Sequence, residues 1–469
     1  MGLPIVLLFV FLGRAVSLPG SSDGINAYIG VWDMSVLVTQ PECWSRAVSQ
    51  IFFSVGVGFG VLTAFGSYNE RDSPAFNLSI IIAICNSLFS FISGFAVFAA
   101  LGYLAHLEES DVEDVAVSGP SLLFGAYPVV FSTLPGGIHW VRLIFFDLFL
   151  LGIDSAFSLV DAVVTCTADS VPGSKLRKGH IVIAWCTLGF LLGLIYATDA
   201  GFNFLDVFDY YINFLLLLVG FFECFALGWV AGLEEQIVQL GPRTVVAYMF
   251  TNFGSIITAI GVWFGAGSTW GGFVAWILFY AVGMFFTSYF LKELKDSQSS
   301  DDSNDAVKWT WKKLYWALMF QNINDYANKM RDVVGYIPFM WELLIKHIIP
   351  PALLVCFSLG AADGQFGTYG GYVIWPYQVL GILSFCFAAI IILVGFAAPD
   401  LYSWTFQPQV NLDDASKSSL EDESNELAVD ESISESEEKP DDDHELAVDE
   451  SISKEKPDDE RQGSIEVSA

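Results

Sequence analysis

The chain has 469 residues, of which 54% are hydrophobic and 15% are aromatic. This composition is too apolar for a soluble domain of this size, so it predicts a membrane protein with several spans. The net charge of −31 fits this class, because residues 413–469 hold 22 acidic and five basic residues, a balance of −17, and few large apolar groups. We expect residues 401–469 to form a disordered acidic tail.

Apolar runs of membrane length follow one another along most of the chain. A half-length run at 3–17 comes first, and the longer runs then predict spans at 44–68, 76–104, 139–167, 180–198, 204–232, 244–265, 270–292, 343–361 and 373–397. The fold class is therefore an all-α polytopic membrane protein with about 9–10 spans.

The span at 44–68 contains three glycines near its centre, Gly56, Gly58 and Gly60. Backbone groups released by unwinding cost several kcal/mol each in hydrocarbon, so a broken helix is expected where it lines a polar cavity for ions or substrate. The alternative is that these small residues only let neighbouring helices pack closely. We interpret the break as a candidate transport site.

When the spans are threaded alternately, the positive charge of the connections collects on one side, and Arg14, Arg46 and Arg142 lie near the outer ends of their spans. The connections without any Lys or Arg are 18–43, 105–138, 199–203, 266–269 and 362–372. The positive-inside rule then places the opposite connections, and the acidic tail with them, in the cytoplasm.

Polar side chains at membrane depth suggest a cation path. Asn86 and Ser90 lie four residues apart on one helical face, and Asp147, Asp154 and Asp161 recur every seven residues. A hard cation such as sodium prefers oxygen ligands, which this chain supplies from Ser54, Asn86, Asp154 and Ser155. Hydrogen bonding between helices is the alternative role for these groups.

Phe53 and Phe59 lie six residues apart across the glycine break, so their rings can bracket a small solute. A zwitterionic amino acid and an amine both remain open. The five histidines are scattered without ligand spacing, and the seven cysteines show no paired spacing. These patterns predict that the protein is not an enzyme.

Several motifs, in matching order and spacing, resemble the sodium- and chloride-dependent neurotransmitter and amino-acid symporters. They are Trp44 to Asn69, Asn86 with Ser90 to Phe95, Gly119 to Phe124, Leu151 to Ser155, and Glu223 with Trp229. The resemblance implies a fold of two inverted five-helix repeats, in which 44–68 matches the broken sixth helix and 3–17 the end of the fifth.

The resemblance also implies roles for particular residues. The sodium ligands would be Ser54 and Asn86 at a first site, and the Leu151 carbonyl, Asp154 and Ser155 at a second. The chloride ligands would be Gln50, Ser54 and Ser90. The substrate pocket would be lined by Phe53, Gly56 and Phe59, with Ser155 and Leu159 opposite, and Asp209 would be the acidic half of an outer gate.

The resemblance covers about residues 1–292 and 320–398 and includes nothing like the family's first four helices. We therefore expect half-sites, an N-terminally truncated symporter fold, and no transport by this chain alone, with Met1 inside a longer reading frame or a partner supplying the rest. We divide the chain into a symporter core from the fifth to the twelfth helix (1–292), a cytoplasmic linker with interfacial helices (293–342), an additional helix pair (343–400) and the tail (401–469). A motif from Gly335 to Pro350 resembles the approach to the eleventh helix, so two helix pairs compete for one place.

The predicted function is sodium-coupled, chloride-dependent symport of a small amino acid or amine at the plasma membrane. Its partners would be that solute and the lipid bilayer, and no nucleic acid. The alternative is a non-transporting membrane scaffold, derived from a transporter, that presents the acidic tail to a cytoplasmic partner.

Overall fold

A computed structural model describes residues 2–40, 42–70, 73–115, 121–299, 310–362 and 369–405. These residues lie within one compact unit, Met1–Gln407, and the described ranges contain helices and no β-strand. The predicted acidic tail beyond residue 405 lies outside the described residues.

The first part of the chain builds a long helix, a sharp turn and the broken span. Its helices are α1 (Gly2–Val16), α2 (Ser21–Ile25, continued by a π-turn at Asn26–Gly30), α3 (Val36–Thr39), α4 (Glu42–Val55) and α5 (Val61–Ser67). Helix α1 and the helical segment that follows it meet at 117°.

The middle of the chain contains the longest spans. It consists of α6 (Ala75–Glu108), α7 (Val112–Val115), α8 (Tyr127–Ser132, preceded by a π-turn at Leu122–Ala126), α9 (Gly137–Asp169), α10 (Lys178–Gly193), α11 (Gly201–Phe225, continued by a π-turn at Ala226–Val230) and α12 (Leu233–Leu240).

The last part contains two helix pairs and the segment between them. The pair α13 (Pro242–Ala266) and α14 (Thr269–Ser299) comes first, followed by α15 (Trp311–Trp316), a π-turn at Ala317–Gln321, and α16 (Asn322–Val334). The second pair consists of α17 (Phe339–Leu343, continued by a π-turn at Leu344–Ile348), α18 (Ile349–Ala362) and α19 (Val379–Ala397).

Eight helical stretches in the described ranges are long and apolar enough to cross a membrane, or up to nine if the bent pair at the N-terminus forms one span. The all-α polytopic fold class is thereby confirmed. The sequence count of 9–10 also includes the broken segment 44–68, whose two halves, of 14 and seven residues, are each too short to span alone.

The predicted break in the span 44–68 is present. Gly56, Gly58 and Gly60 have φ values of 79°, 82° and 78°, the left-handed region that glycine enters without the steric cost of a Cβ. A Cβ added to Gly58 would also lie 3.1 Å from a methyl carbon of Val219 on α11. The backbone between α4 and α5 therefore depends on glycine both for its conformation and for its packing.

The helices of the connection between α6 and α9 pack into an apolar cluster. Val130 and Phe131 on α8 are fully buried, and Phe131 contacts Phe11 on α1 and Trp140 on α9. This connection therefore shares one hydrophobic core cluster with α1, α6 and α9. Residues 116–120, which include part of one motif used in the sequence analysis, lie outside the described residues.

The two helix pairs near the C-terminus pack differently. Helices α13 and α14 lie mainly against each other, and Gly283 on α14 allows the close approach, since a Cβ there would lie 2.4 Å from the Thr251 hydroxyl. The second pair packs on the broken span and on α11. Ser45 on α4 donates to the Cys356 carbonyl at 2.7 Å, and Tyr211 on α11 donates to Gln378 at 3.1 Å.

The stretch α15–α16, predicted as interfacial helices, buries much of its apolar surface. Leu314, Leu318, Ile323 and Ala327 are fully buried. A polar network holds this stretch to α17. The buried Glu342 carboxylate accepts from Arg331 at 3.1 Å and from Asn324 at 3.2 Å.

Lys346 extends this network toward α11. Its ammonium donates to the Asn322 side-chain oxygen and lies 5.0 Å from the Trp229 ring centroid, while its carbonyl accepts from the Trp229 indole at 2.9 Å. The Asn322 amide donates to the Gly228 carbonyl at 2.9 Å. These contacts fix the second helix pair to the C-terminal end of α11.

Near the N-terminal end of α11, a carboxylate holds the loop before α19. Asp206 accepts from the Tyr369 hydroxyl at 3.0 Å and from the Tyr372 hydroxyl at 2.8 Å, and Tyr369 stacks on Tyr210 with ring centroids 3.9 Å apart. Burial, together with the Asp206 carboxylate, raises the pKa of Tyr372 to about 12 and raises that of Tyr369 as well. We call this arrangement the tyrosine clasp.

Candidate functional site

The two side chains predicted for the first sodium site meet beside the glycine break. Ser54, in the last turn of α4, donates its hydroxyl to the Asn86 side-chain oxygen at 3.2 Å and accepts from the Asn86 amide at 2.9 Å. Both side chains are half-buried, whereas the α6 residues around Asn86 are exposed. The glycine break and the Asn86 amide thus belong to one polar location.

The two aromatic residues predicted for the substrate pocket also meet. Phe53 and Phe59 form an edge-to-face pair with ring centroids 5.9 Å apart and an interplanar angle of 77°. Gly56 and Gly58, two of the three left-handed glycines, lie between these two residues in the chain. The arrangement can offer a small solute two ring surfaces and nearby unwound backbone.

The residues predicted for the second sodium site share one face of α9. Ser155 donates its hydroxyl to the Leu151 carbonyl at 3.1 Å, so two of the three proposed oxygen ligands are already neighbours. The Asp154 side chain is half-buried, and Ser158 donates to its backbone carbonyl at 3.1 Å. This face can present a carboxylate, a hydroxyl and a carbonyl together.

In the described part of the chain, the residues predicted for the chloride site and for the far side of the substrate pocket do not form the expected direct contacts. Gln50 and Ser90 are exposed and form no hydrogen bond with Ser54 in the described part of the chain. Ser155 and Leu159 likewise form no hydrogen bond or ring contact with the Phe53–Phe59 pair in the described ranges. Asp209, the proposed gate residue, is exposed on α11, one turn from Asp206 in the tyrosine clasp.

A polar cluster at the C-terminal end of the broken span was missed from the sequence. Tyr68, next to the end of α5, contacts the Thr165 hydroxyl at 2.7 Å and donates to Asp161 at 3.2 Å, both on α9. Lys178 at the start of α10 donates to Tyr68 at 3.2 Å and lies 4.0 Å from Asp161. The seven-residue spacing of Asp161 hinted at this position, but nothing in the local sequence connects it with Tyr68.

The carboxylates predicted to line one face of α9 differ in their surroundings. Asp161, in the C-terminal half of α9, has two hydrogen-bond or ion-pair partners. One buried oxygen of Asp147, in the N-terminal half, has no hydrogen-bond partner among the described residues. Asp154 lies between them beside the Ser155 hydroxyl. The three residues therefore do not form a uniform path.

Taken together, these contacts define a polytopic membrane protein with a discontinuous helix whose unwound centre lies beside oxygen-bearing side chains. This is the architecture that secondary transporters use to hold ions and small solutes near mid-membrane. The polar side chains at 54, 86, 154 and 155 could hold a hard cation through oxygen atoms.

Comparison with known proteins agrees with this class. Residues 1–264 match the model of the "Sodium:neurotransmitter symporter family". The chain is 40% identical over 235 residues to the "Sodium- and chloride-dependent taurine transporter" of Homo sapiens, which covers 49% of this chain and 37% of the relative. It is also 40% identical over 237 residues to the "Sodium- and chloride-dependent creatine transporter 1" of Bos taurus, covering 50% and 37%.

A third relative is the "Sodium- and chloride-dependent neutral and basic amino acid transporter B(0+)" of Homo sapiens, 33% identical over 253 residues, with 53% of this chain and 39% of the relative covered. The chain thus belongs to the sodium:neurotransmitter symporter family, whose members are transporters and not enzymes. The chain spans less than two fifths of the length of each of these relatives.

Proposed function

We propose that this protein takes part in sodium-coupled, chloride-dependent symport of a small amino acid or amine. The observation that carries the proposal is the reciprocal hydrogen bonding of Ser54 and Asn86 beside three left-handed glycines. Polar side chains and unwound backbone inside a membrane raise the free energy of the fold unless they have partners. A cation coordinated by side-chain and backbone oxygens would offset that cost.

In this proposal, Ser54 and Asn86 contribute to one sodium site, and Leu151, Asp154 and Ser155 contribute to the other. Gln50, Ser54 and Ser90 contribute to a chloride site. The relatives named for chloride dependence support an anion partner. A chloride ion beside Ser90 would offset part of the positive charge that the sodium ions bring.

The substrate would lie against the Phe53–Phe59 pair and Gly56, opposite Ser155 and Leu159. The relatives are named for taurine, creatine and amino acids, all of which are small solutes with charged or strongly polar groups. Asp209 remains the proposed acidic half of the outer gate. Tyr68, Asp161 and Lys178 contact one another after the end of α5, and we propose that this cluster lies at the inner end of the broken span and opens when solute is released inward.

The domain division belongs to the same proposal: a core at 1–292, a linker at 293–342, an added pair at 343–400 and a cytoplasmic acidic tail at 401–469. The family match ends at residue 264, inside α13, which supports counting α13 with the core. The packing of α18 and α19 on α4 and α11 supports a place for the second pair beside that core too. We propose the plasma membrane as the location.

The test is uptake of radiolabelled taurine, creatine and neutral amino acids into cells that express the protein from its native transcript. Uptake should require external sodium and fall when chloride is replaced by gluconate. Asp154→Asn should reduce sodium-dependent uptake at least about tenfold, since a ligating carboxylate becomes neutral. Ser90→Glu should relieve the chloride requirement, because a fixed carboxylate replaces the halide.

Surface biotinylation serves as the control for both variants. If the protein reaches the surface normally and takes up none of these solutes in sodium, symport is contradicted and the scaffold alternative gains support. If Asp154→Asn transports with unchanged sodium dependence, Asp154 does not belong to a cation site.

A further inference from the structure

A polar cavity of about 400 Å³ lies between α12 and α16, and it includes none of the residues assigned to the ion or substrate sites. Glu235 and Gln239 on α12 line one side, and Asp325 and Lys329 on α16 line the other. Its volume is within the range of about 300–1,000 Å³ that is usual for small-molecule sites. We call this cavity the α12–α16 pocket.

The α12–α16 pocket faces water and not hydrocarbon. Helix α16 belongs to none of the candidate membrane spans among the described residues. Helix α12 ends a helical stretch of 40 residues, although about 20 residues suffice to cross a bilayer. The side chains of Glu235, Asp325 and Lys329 are all exposed. A ligand of this pocket is therefore a water-soluble molecule.

Two buried amides form the floor of the pocket. Gln236 and Asn322 are 8% and 5% exposed. The Gln236 side chain donates to the Ala317 carbonyl at 2.8 Å, and the Asn322 side chain donates to the Gly228 carbonyl at 2.9 Å. These bonds fix the pocket walls to each other and to the C-terminal end of α11, so little order has to be gained when a ligand binds.

The Glu235 carboxylate lies beside this floor. A Cβ added to Gly232 would lie 3.8 Å from a Glu235 carboxylate oxygen and 3.2 Å from the Asn322 Cβ. The carboxylate therefore borders the space in front of Asn322, which a glycine at position 232 leaves open.

The charged groups of the pocket have no partners of their own. Among the described residues, Glu235, Asp325 and Lys329 form no ion pair and no side-chain hydrogen bond, whereas Glu342 nearby is paired with Arg331. Two carboxylates and one ammonium give the lining a charge of −1. A complementary ligand carries two cationic groups and one carboxylate, because charge-assisted hydrogen bonds are the strongest that such a site can form.

We propose that the α12–α16 pocket binds a dibasic amino acid, an amino acid whose side chain carries a second positive charge. Its two cationic groups pair with Glu235 and Asp325, and its carboxylate pairs with Lys329. A bound ligand contacts Asn322 and so stabilises the junction of α12 and α16 with α11. This site does not rest on the proposed symport, since the two share no residue.

The test is binding of radiolabelled L-arginine to the purified full chain in nanodiscs. Potassium replaces sodium in the buffer, so the sodium-dependent site proposed at the glycine break does not contribute. Binding should be saturable, with a Kd below about 1 mM, and arginine should raise the unfolding temperature.

Neutralising one carboxylate tests the assignment of the pocket. Glu235→Gln should weaken arginine binding about ten- to hundredfold, because a charge-assisted hydrogen bond becomes a neutral one. Glu234→Gln is the matched control, since Glu234 is the adjacent exposed carboxylate on α12 and does not line the pocket. If Glu235→Gln is not monodisperse, Asp325→Asn makes the same change from α16.

Two analogues test the class of ligand. Citrulline lacks the charge on the side chain and agmatine lacks the carboxylate, so each should bind at least about tenfold more weakly than arginine. Lys329→Gln should remove the preference for arginine over agmatine, because the pair that distinguishes them is lost.

Three results would overturn the proposal. They are no saturable arginine binding by the wild-type chain, an equal loss in Glu234→Gln and Glu235→Gln, and binding of citrulline or agmatine as tight as that of arginine. Equal binding of agmatine would show that the pocket takes a simple diamine-like cation and that Lys329 does not select a carboxylate.

Discussion

The polar groups at the glycine break differ from those on α17 and its π-turn, although both sets lie in the same membrane unit. Glu342 on α17 and Lys346 in the following π-turn are almost fully buried, and each has partners from neighbouring helices. At the break, Ser54 and Asn86 are half-buried and hydrogen-bond to each other, with no other side-chain hydrogen bond in the described part of the chain, while Ser155 is exposed. A closed network stabilises the fold, whereas oxygen atoms left accessible beside unwound backbone remain available to a ligand.

The largest expected effect comes from breaking the closed network. Arg331→Met would leave the Glu342 carboxylate buried beside only the neutral Asn324 amide, so it should destabilise the protein by about 3–5 kcal/mol. Thermal unfolding in detergent measures the loss. The double variant Arg331→Met with Glu342→Leu should recover part of it, and a single variant as stable as wild type would show that the network does not hold α16 to α17.

The next effect concerns the break itself. Gly58→Ala places a Cβ at φ 82° and 3.1 Å from Val219, so it should cost about 1–2 kcal/mol and alter the unwound segment. Gly66→Ala is the control, since Gly66 lies inside α5 with no atom within 4 Å of an added Cβ, and it should be neutral or slightly stabilising. Equal unfolding temperatures for the two variants would contradict a break that depends on glycine.

The tyrosine clasp should respond to mutation and to pH. Tyr372→Phe removes one of the two hydroxyl groups that donate to Asp206. We therefore expect the free energy of unfolding to fall by about 1–2 kcal/mol and hydrogen exchange in residues 369–373 to become faster. Tyr377→Phe is the control, because no hydrogen bond of its hydroxyl is found in the described ranges.

The sign of the pH effect follows from the raised pKa of Tyr372. Its neutral form is favoured in the folded state, so its contribution is complete below the ordinary value of 10.0 and is lost as pH rises through about 12. Unfolding measured between pH 9 and pH 12 should therefore show declining stability, with a shallower decline in Tyr372→Phe. An identical slope in both proteins would count against the clasp.

The smallest effect is expected at the C-terminal end of the broken span. Lys178 is 56% exposed and lies 4.0 Å from Asp161, so Lys178→Met should change stability by less than about 1 kcal/mol. Tyr68→Phe, which removes the hydrogen bonds to Asp161 and Thr165, should cost more than Lys178→Met in the same unfolding assay. The reverse order would mean that the ion pair, and not the tyrosine, joins α5 to α9.

Hydropathy and local composition were sufficient for the spans and for the break. Runs of apolar residues define α6, α9 and α11, because every backbone group in lipid must be paired within a helix. Three alternating glycines fix the unwound point, since few other residues adopt a left-handed backbone. The pairing of Ser54 with Asn86 followed from family resemblance, and the hydrogen bonds now give it a physical basis.

Contacts between distant segments could not be read from the sequence. Asp206 accepts hydrogen bonds from Tyr369 and Tyr372, which lie more than 160 residues away in the chain. Nothing in the sequence around any of these residues indicates the contact. The packing of the two C-terminal helix pairs could not be predicted either. Lipid tails are as apolar as the helix faces, so hydropathy does not distinguish a face that packs on another helix from one that faces lipid. Small residues such as Gly283 decide that packing only once the partner helix is known.

The central claim is that the broken span holds a cation together with α6. Hydrogen exchange of the full chain in native membranes, compared in sodium and in potassium, tests it most directly on peptides covering residues 50–60 and 84–90. The account predicts slower exchange in both peptides with sodium only, and loss of that difference in Asn86→Ala. Identical exchange in the two ions would contradict a sodium site at the glycine break.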